Sequence, residues 1–220
     1  MGPAPARATR VQGNILAAAE RRLLTWLCAR MPAWVVPDQL TALGFVGALL
    51  VFAGYLLSRS EAAWLWLSVA GYAINWFGDS LDGSLARYRR TERPRFGHFV
   101  DHSIDAFANM LGMVGLGLTV FVRLDVAMFA LIGYLLLTVH VMLRMRATGA
   151  MQLSFAYGGP TELRLALVGL TLSMLLAGRL PTPAGISVYD AIVGGVAVIL
   201  VVIFVWHTVQ TATLLRREEG

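Results

Sequence analysis

The chain has 220 residues, 57% hydrophobic and 14% charged, with a mean hydropathy of +0.66. That balance excludes an ordinary soluble domain and predicts an all-α integral membrane protein. The net charge of +5 rests on 18 basic residues, all Arg, against 13 acids. Because the Arg residues are spread over several helix ends rather than gathered on one face, nucleic acid is excluded as a partner, and anionic lipid and phosphate-bearing substrates fit better.

In chain order, residues 1–13 are rich in Pro, Ala and Gly, are expected to be disordered, and lack the apolar run of a cleavable signal. A single membrane domain is expected over 14–220. It opens with a helix over 14–30 that places Ile15, Leu16, Ala19, Leu23, Trp26 and Leu27 around one face, the pattern of an amphipathic helix lying in the cytoplasmic interface. The single Cys28 in this helix excludes an internal disulfide and a cysteine-cluster metal site, and reads as an ordinary apolar residue. Pro32 and Pro37 break the chain before the first span, which Asp38 or Thr41 is expected to start.

Six stretches are long enough to cross about 30 Å of hydrocarbon as helices: 40–58, 63–86, 97–122, 125–145, 162–178 and 186–210. Small residues recur at Gly44 and Gly47, at Gly112, Gly115 and Gly117, and at Gly194 and Gly195, as close helix packing requires. The 147–161 loop ends in Gly158-Gly159-Pro160, after which Thr161 is expected to cap the fifth span and Glu162 to sit in its first turn. With the N-terminus in the cytoplasm, every Arg except Arg59, Arg123 and Arg179 falls on the inner side. The positive-inside rule therefore places both termini and the 88–96 and 147–161 loops in the cytoplasm. The six Trp residues (26, 34, 64, 66, 76 and 206) read as interface anchors, and Arg89, Arg90, Arg93 and Arg95 as a topology signal and headgroup patch.

Against this apolar background, Asp79 and Asp82 stand three apart at the end of the second span, and Asp101 and Asp105 four apart at the start of the third. Carboxylates at membrane depth are costly unless paired, and so mark a functional site. Asn75, Asp79, Asp82 and Ala86 form one helical stripe; His98, Asp101, His102, Asp105 and Asn109 form another. Antiparallel helices joined at the cytoplasm bring these stripes together into a pocket of four carboxylates. Such a cluster calls for hard cations, Mg²⁺ or Mn²⁺, and two ions about 3.5–4 Å apart would clamp a diphosphate. Gly83 and Ala86 leave room for a bulky ligand, and Arg87 is placed to meet phosphate oxygens. His140 and His207, deep in the fourth and sixth spans, read as interhelical hydrogen-bonding groups. Arg144 and Arg146, at the inner end of the fourth span, read either as interface residues or as ligands of an acceptor phosphate.

The run Asp79-Ser-Leu-Asp82-Gly83-Ser-Leu-Ala86-Arg87, followed by Gly97-His-Phe-Val-Asp101-His-Ser-Ile-Asp105, resembles the CDP-alcohol phosphotransferase signature, D-x2-D-G-x2-A-R-x8-G-x3-D-x3-D. Nine residues rather than eight separate Arg87 from Gly97, an insertion that leaves both half-motifs intact. Pro37-Asp38-Gln39-Leu40-Thr41 is similar to the family's P-N-x-L-T segment. The resemblance implies that Asp79, Asp82 and Asp101 bind metal, that Asp105 completes the site and is a candidate general base, and that Gly83, Ala86 and Arg87 border the CDP moiety. It also implies a homodimer and attack by an alcohol hydroxyl on the phosphorus distal to cytidine, with release of CMP.

Asp101-His102-Ser-Ile-Asp105 and Thr161-Glu162 are similar to segments of the choline and ethanolamine phosphotransferase branch. There, His102 would assist proton transfer and Glu162 would hold a cationic headgroup. Phosphatidyltransferases that use CDP-diacylglycerol remain the other reading. The competing functions are an intramembrane prenyltransferase, which also binds a diphosphate through Mg²⁺ and aspartates, and a metal or ion transporter. A short compact chain of this kind suits a bacterial cytoplasmic membrane.

Overall fold

In the computed structural model, residues 17–148, 160–180 and 186–219 are described. The 1–13 segment, the start of the 14–30 helix and most of the 147–161 loop, with Gly158 and Gly159, lie outside them. The described residues form seven α-helices: α1 Ala17–Arg30, α2 Pro37–Leu57, α3 Leu65–Tyr88, α4 Pro94–Gly117, α5 Leu124–Thr148, α6 Pro160–Ala177 and α7 Val188–Glu219, with a short 3₁₀ turn, Ala62–Trp64, before α3. Three of them, α2, α5 and α7, are by length and composition apolar enough to cross a bilayer. The charged residues of α3 and α4 dilute their apolar character, and α6 is the shortest of the six later helices.

Local sequence explains where the helices begin and end. Pro37 opens α2 with its fixed φ, and the Gln39 side chain reaches back to accept the Val36 N–H at 3.0 Å, so neither Asp38 nor Thr41 caps the helix. At the end of α3, Thr91 N–H reaches Ala86 O at 2.9 Å and Arg90 N–H reaches Arg87 O at 3.2 Å, with Arg90 at φ 58°. These two bonds are a Schellman closure in which Arg takes the position that usually goes to Gly. The nine residues between Arg87 and Gly97 are thus spent on the end of α3, this turn and the start of α4. At the end of α6 the left-handed position is taken by Gly178, at φ 65°.

Two apolar cores hold the bundle. The larger joins α2 to α7 through residues such as Val51, Leu65, Leu116, Met174, Val193 and Ala197. Within it, the Tyr55 hydroxyl bonds the Thr171 hydroxyl at 2.7 Å and the Tyr72 hydroxyl at 3.3 Å, which satisfies three buried polar groups at once. The smaller core packs α1 on α3 through Leu24, Cys28, Val35, Leu40, Leu81 and Leu85. Cys28 is therefore the apolar filler its surroundings predict. The inward face of α1 is carried by Leu24 and Cys28, whereas Leu23 and Trp26 point outward.

Helices α2 and α3 approach closely enough for backbone to touch backbone. A Cβ on Gly71 would lie 2.6 Å from the Val51 amide nitrogen, and one on Gly47 would lie 2.8 Å from Asn75 Cα. Only hydrogen fits at these crossings. The Asn75 amide donates to Gly44 O at 2.9 Å and ties the helices one turn before Asp79. The small residues at Gly112, Gly115 and Gly117 are likewise buried, but a Cβ at Gly195 would meet nothing. The α1–α2 link is gathered by one side chain: the Arg89 guanidinium donates to the carbonyls of Met31 (3.1 Å), Pro32 (2.8 Å), Ala33 (3.4 Å) and Val35. Arg93 pairs with Asp38.

Candidate metal centre and active site

The carboxylates of Asp79 on α3 and of Asp101 and Asp105 on α4 converge, with one oxygen of each lying within 4.8 Å of the others. Helical spacing produces this: Asp101 and Asp105 share one face of α4, and the tight α3–α4 turn sets that face against Asp79. Three half-buried carboxylates at such range repel unless a cation joins them. Their oxygens are the donors that a hard divalent ion takes, so the residues fit Mg²⁺ or Mn²⁺.

The other predicted ligand is turned elsewhere. Asp82 accepts from the Thr41 hydroxyl at 2.6 Å and from the Gly83 N–H, which directs its carboxylate toward α2. Thr41 thus holds Asp82 rather than starting the helix. A fixed cation also stands at the trio: Arg164 of α6 lies 2.6 Å from Asp79 Oδ2 and 3.8 Å from Asp105 Oδ1. Its side chain is only 15% exposed, so this pair is weakly screened. In the sequence Arg164 was one more inner-side Arg. The signal that would have found it is its place one turn into an apolar helix, where a cation needs a partner as much as an acid does.

The remaining predicted residues surround this centre unevenly. His102 Nδ1 lies 3.4 Å from Asp101 Oδ2, and its ring is 4.1 Å from that of His98, centroid to centroid. Ala86 continues the Asp79–Asp82 stripe, while Arg87 folds back so that a Cβ on Gly83 would lie 3.3 Å from its guanidinium. Glu162 is half-buried in the first turn of α6, two residues before Arg164. Arg144 and Arg146 lie near the end of α5 and line neither of the two hollows described below.

Thr161 does not cap α6. It lies inside the helix and donates to Glu20 Oε1 of α1 at 2.7 Å, where Trp76 Nε1 donates too at 3.0 Å. Trp76 is therefore a partly buried donor between α1 and α3, whereas Trp26, Trp34, Trp64, Trp66 and Trp206 are exposed, as anchors would be. His140 reaches Thr208 on α7 at 3.3 Å, the interhelical bond expected of it. One hollow adjoins the aspartates and a second lies on the other side of Arg164 and Tyr72. The first, of about 360 Å³, begins at Asp105, and the second, of about 460 Å³, lies between α1, α3 and α6; Tyr72 and Arg164 border both.

The chain is similar in sequence to several known proteins. A stretch of 99 residues is 34% identical to an archaetidylinositol phosphate synthase of Pyrococcus horikoshii, covering 45% of this chain and 50% of that protein. Another of 96 residues is 31% identical to cholinephosphotransferase 1 of Danio rerio, covering 41% and 25%. A third of 90 residues is 32% identical to a phosphatidylinositol phosphate synthase of Cutibacterium acnes, covering 41% of each. The chain thus matches between a quarter and a half of these relatives' lengths. A family model described as CDP-alcohol phosphatidyltransferase matches residues 34–210, which include α2, both aspartate pairs and most of α7. From these matches, and from the three carboxylates they enclose, the chain belongs to the CDP-alcohol phosphatidyltransferase family.

Proposed function

We propose that the chain is a phospholipid-synthesis enzyme that transfers a substituted phosphate group from a CDP-linked alcohol to an acceptor alcohol and releases CMP. The observation that carries this reading is the convergence of Asp79, Asp101 and Asp105 within one ion's reach. Asp82, whose carboxylate is held toward Thr41, would complete the ligand set by turning to the trio, and two divalent ions, Mg²⁺ or Mn²⁺, would be the cofactors; when bound they would neutralise the diphosphate and the departing CMP. The chain's own residues do the rest. Gly83, Ala86 and Arg87 flank the CDP moiety. The acceptor hydroxyl oxygen forms a bond to the distal phosphorus as the bond from that phosphorus to the CMP oxygen breaks, and its proton passes to the Asp105 carboxylate.

His102, with Nδ1 3.4 Å from Asp101 Oδ2, offers a second route for the proton. Glu162, Arg144 and Arg146 contribute on the headgroup side. We read α3, α4 and α6 as spans too, giving six, with α1 in the interface and both termini and the site in the cytoplasm of a bacterial inner membrane. The working unit is a homodimer. The deciding experiment is CMP release by purified chain with Mg²⁺ or Mn²⁺, using CDP-diacylglycerol, CDP-choline and CDP-ethanolamine against a panel of alcohols. Asp105→Asn should abolish release while keeping most of the cation binding. Release from none of the donors would sink the reading; turnover of a prenyl diphosphate without CMP would replace it with prenyl transfer, and metal flux into liposomes with transport.

A further inference from the structure

Beside the carboxylate trio, α4 carries two imidazoles on one face. His98 and His102 are four residues apart, and their ring centroids lie 4.1 Å from each other at an interplanar angle of 55°. Histidines at that helical spacing form a chelate for a transition ion. His98 is exposed near the start of α4, so an ion can reach it from water. His102 is half-buried beside it.

A third donor completes the set. His102 Nδ1 is buried and makes no hydrogen bond among the described residues, although Asp101 Oδ2 lies only 3.4 Å away. A nitrogen and a carboxylate oxygen that both bind one tetrahedral ion at about 2.0–2.1 Å stand roughly 3.3 Å apart, so this pair already has the separation such an ion needs. The chemistry of the set differs from that of the trio. Asp79, Asp101 and Asp105 offer oxygen alone, which suits Mg²⁺ and Mn²⁺, whereas two imidazoles and one carboxylate favour Zn²⁺ and leave its last position to water.

We propose that His98, His102 and Asp101 form a separate cation site, selective for Zn²⁺, through which that ion switches off the neighbouring carboxylate centre. Asp101 is the shared residue. An ion on its Oδ2 draws the carboxylate toward the histidines and sets two more positive charges beside Asp79 and Asp105, so the trio holds its hard ion less well. The same ion occupies His102 Nδ1, the atom that offers the second route for the proton. The site rests on geometry alone; the inhibition rests on the transferase reading above.

The test uses the untagged full chain in phosphatidylcholine nanodiscs, with ZnCl₂ and MnCl₂ as probes. With Mg²⁺ saturating, calorimetry should find a zinc ion bound to each chain, and His98→Ala or His102→Gln should weaken that binding about tenfold or more. His98→Cys, which returns a ligand that zinc favours, should restore it. Zn²⁺ should weaken Mn²⁺ binding, followed by electron paramagnetic resonance, about tenfold in the wild type and far less in His98→Ala, whose Mn²⁺ affinity without zinc should be unchanged. In parallel, Zn²⁺ should suppress CMP release by the wild type and spare His98→Ala. Equal zinc affinity in the wild type and both histidine variants would place the ion on the carboxylates alone and overturn the site. Zinc held by the histidines with undiminished Mn²⁺ affinity and CMP release would overturn the switch. If no donor yields CMP in zinc-free buffer the transferase reading falls, and the zinc and manganese titrations still decide this proposal.

Discussion

Arg164 reaches the aspartate trio from α6, a helix far along the chain from Asp79 and Asp105. Its guanidinium neutralises part of the charge of Asp79 and Asp105, and the rest of the trio's charge is left for a cation. Truncating one member of a buried ion pair leaves the other charge uncompensated, at a cost of about 3 kcal/mol for a pair this sheltered. Arg164→Ala should therefore lower the melting temperature in chelator, and Mg²⁺ should restore more stability to the variant than to wild type, because the ion replaces the lost cation. A differential scanning measurement with and without Mg²⁺ decides it; equal Mg²⁺ responses would contradict the counter-charge role. Cys28 offers a second single-residue test. Burial pushes its thiol above the ordinary cysteine range, against the opposing pull of Arg87 and Arg89, and so depletes the thiolate at neutral pH. Mass spectrometry should find it unmodified by iodoacetamide at pH 7.5 in the native chain and fully modified once denatured.

The α2–α3 pair sets the geometry on which the aspartates depend. Gly71→Ala would drive a methyl into the Val51 backbone, and with no room to relax it should cost about 1–3 kcal/mol and reduce CMP release by parting Thr41 from Asp82. Gly195→Ala, which meets open space in α7, should be neutral or stabilise by up to about 1 kcal/mol. Paired melting curves and CMP-release rates check both; a neutral Gly71→Ala would show that the crossing is looser than it looks. The α3–α4 turn supplies another element-level prediction. Arg90 sits in the left-handed region that costs a side chain roughly 1 kcal/mol, so Arg90→Gly should raise the melting temperature slightly. Helix existence and the aspartate stripes were legible here because spacing alone sets them. The direction of Asp82 was not, since it depends on Thr41, which stands on another helix.

Across the described residues, a helix overlies each expected stretch, with α4 ending at Gly117 rather than near 122 and α7 running on to Glu219 rather than ending near 210. Apolar runs and proline breaks report helix limits directly, so this much could be read in advance. The contacts that assemble the site could not, because each joins elements distant in the chain: Arg164 to Asp79, and Thr161 and Trp76 to Glu20. Glu20 binds α1 to both α3 and α6, so its loss should loosen all three. Glu20→Ala should cost about 2 kcal/mol, speed hydrogen exchange in α1 and red-shift tryptophan emission, and Glu20→Gln, which keeps an acceptor, should restore most of it. Unchanged exchange in Glu20→Ala would show that apolar packing alone seats α1.

The Arg89 clasp has a consequence in time. The carbonyls of residues 31–35 find their donor 54 to 58 residues later in the chain. At a synthesis rate of about 5–20 residues per second, roughly 3–12 s pass between the making of that corner and the arrival of the side chain that closes it. During that interval α1 is tethered but not fixed, and its seat is completed only when the end of α3, and after it Thr161 of α6, have followed. The first described helix is thus made early and settled late.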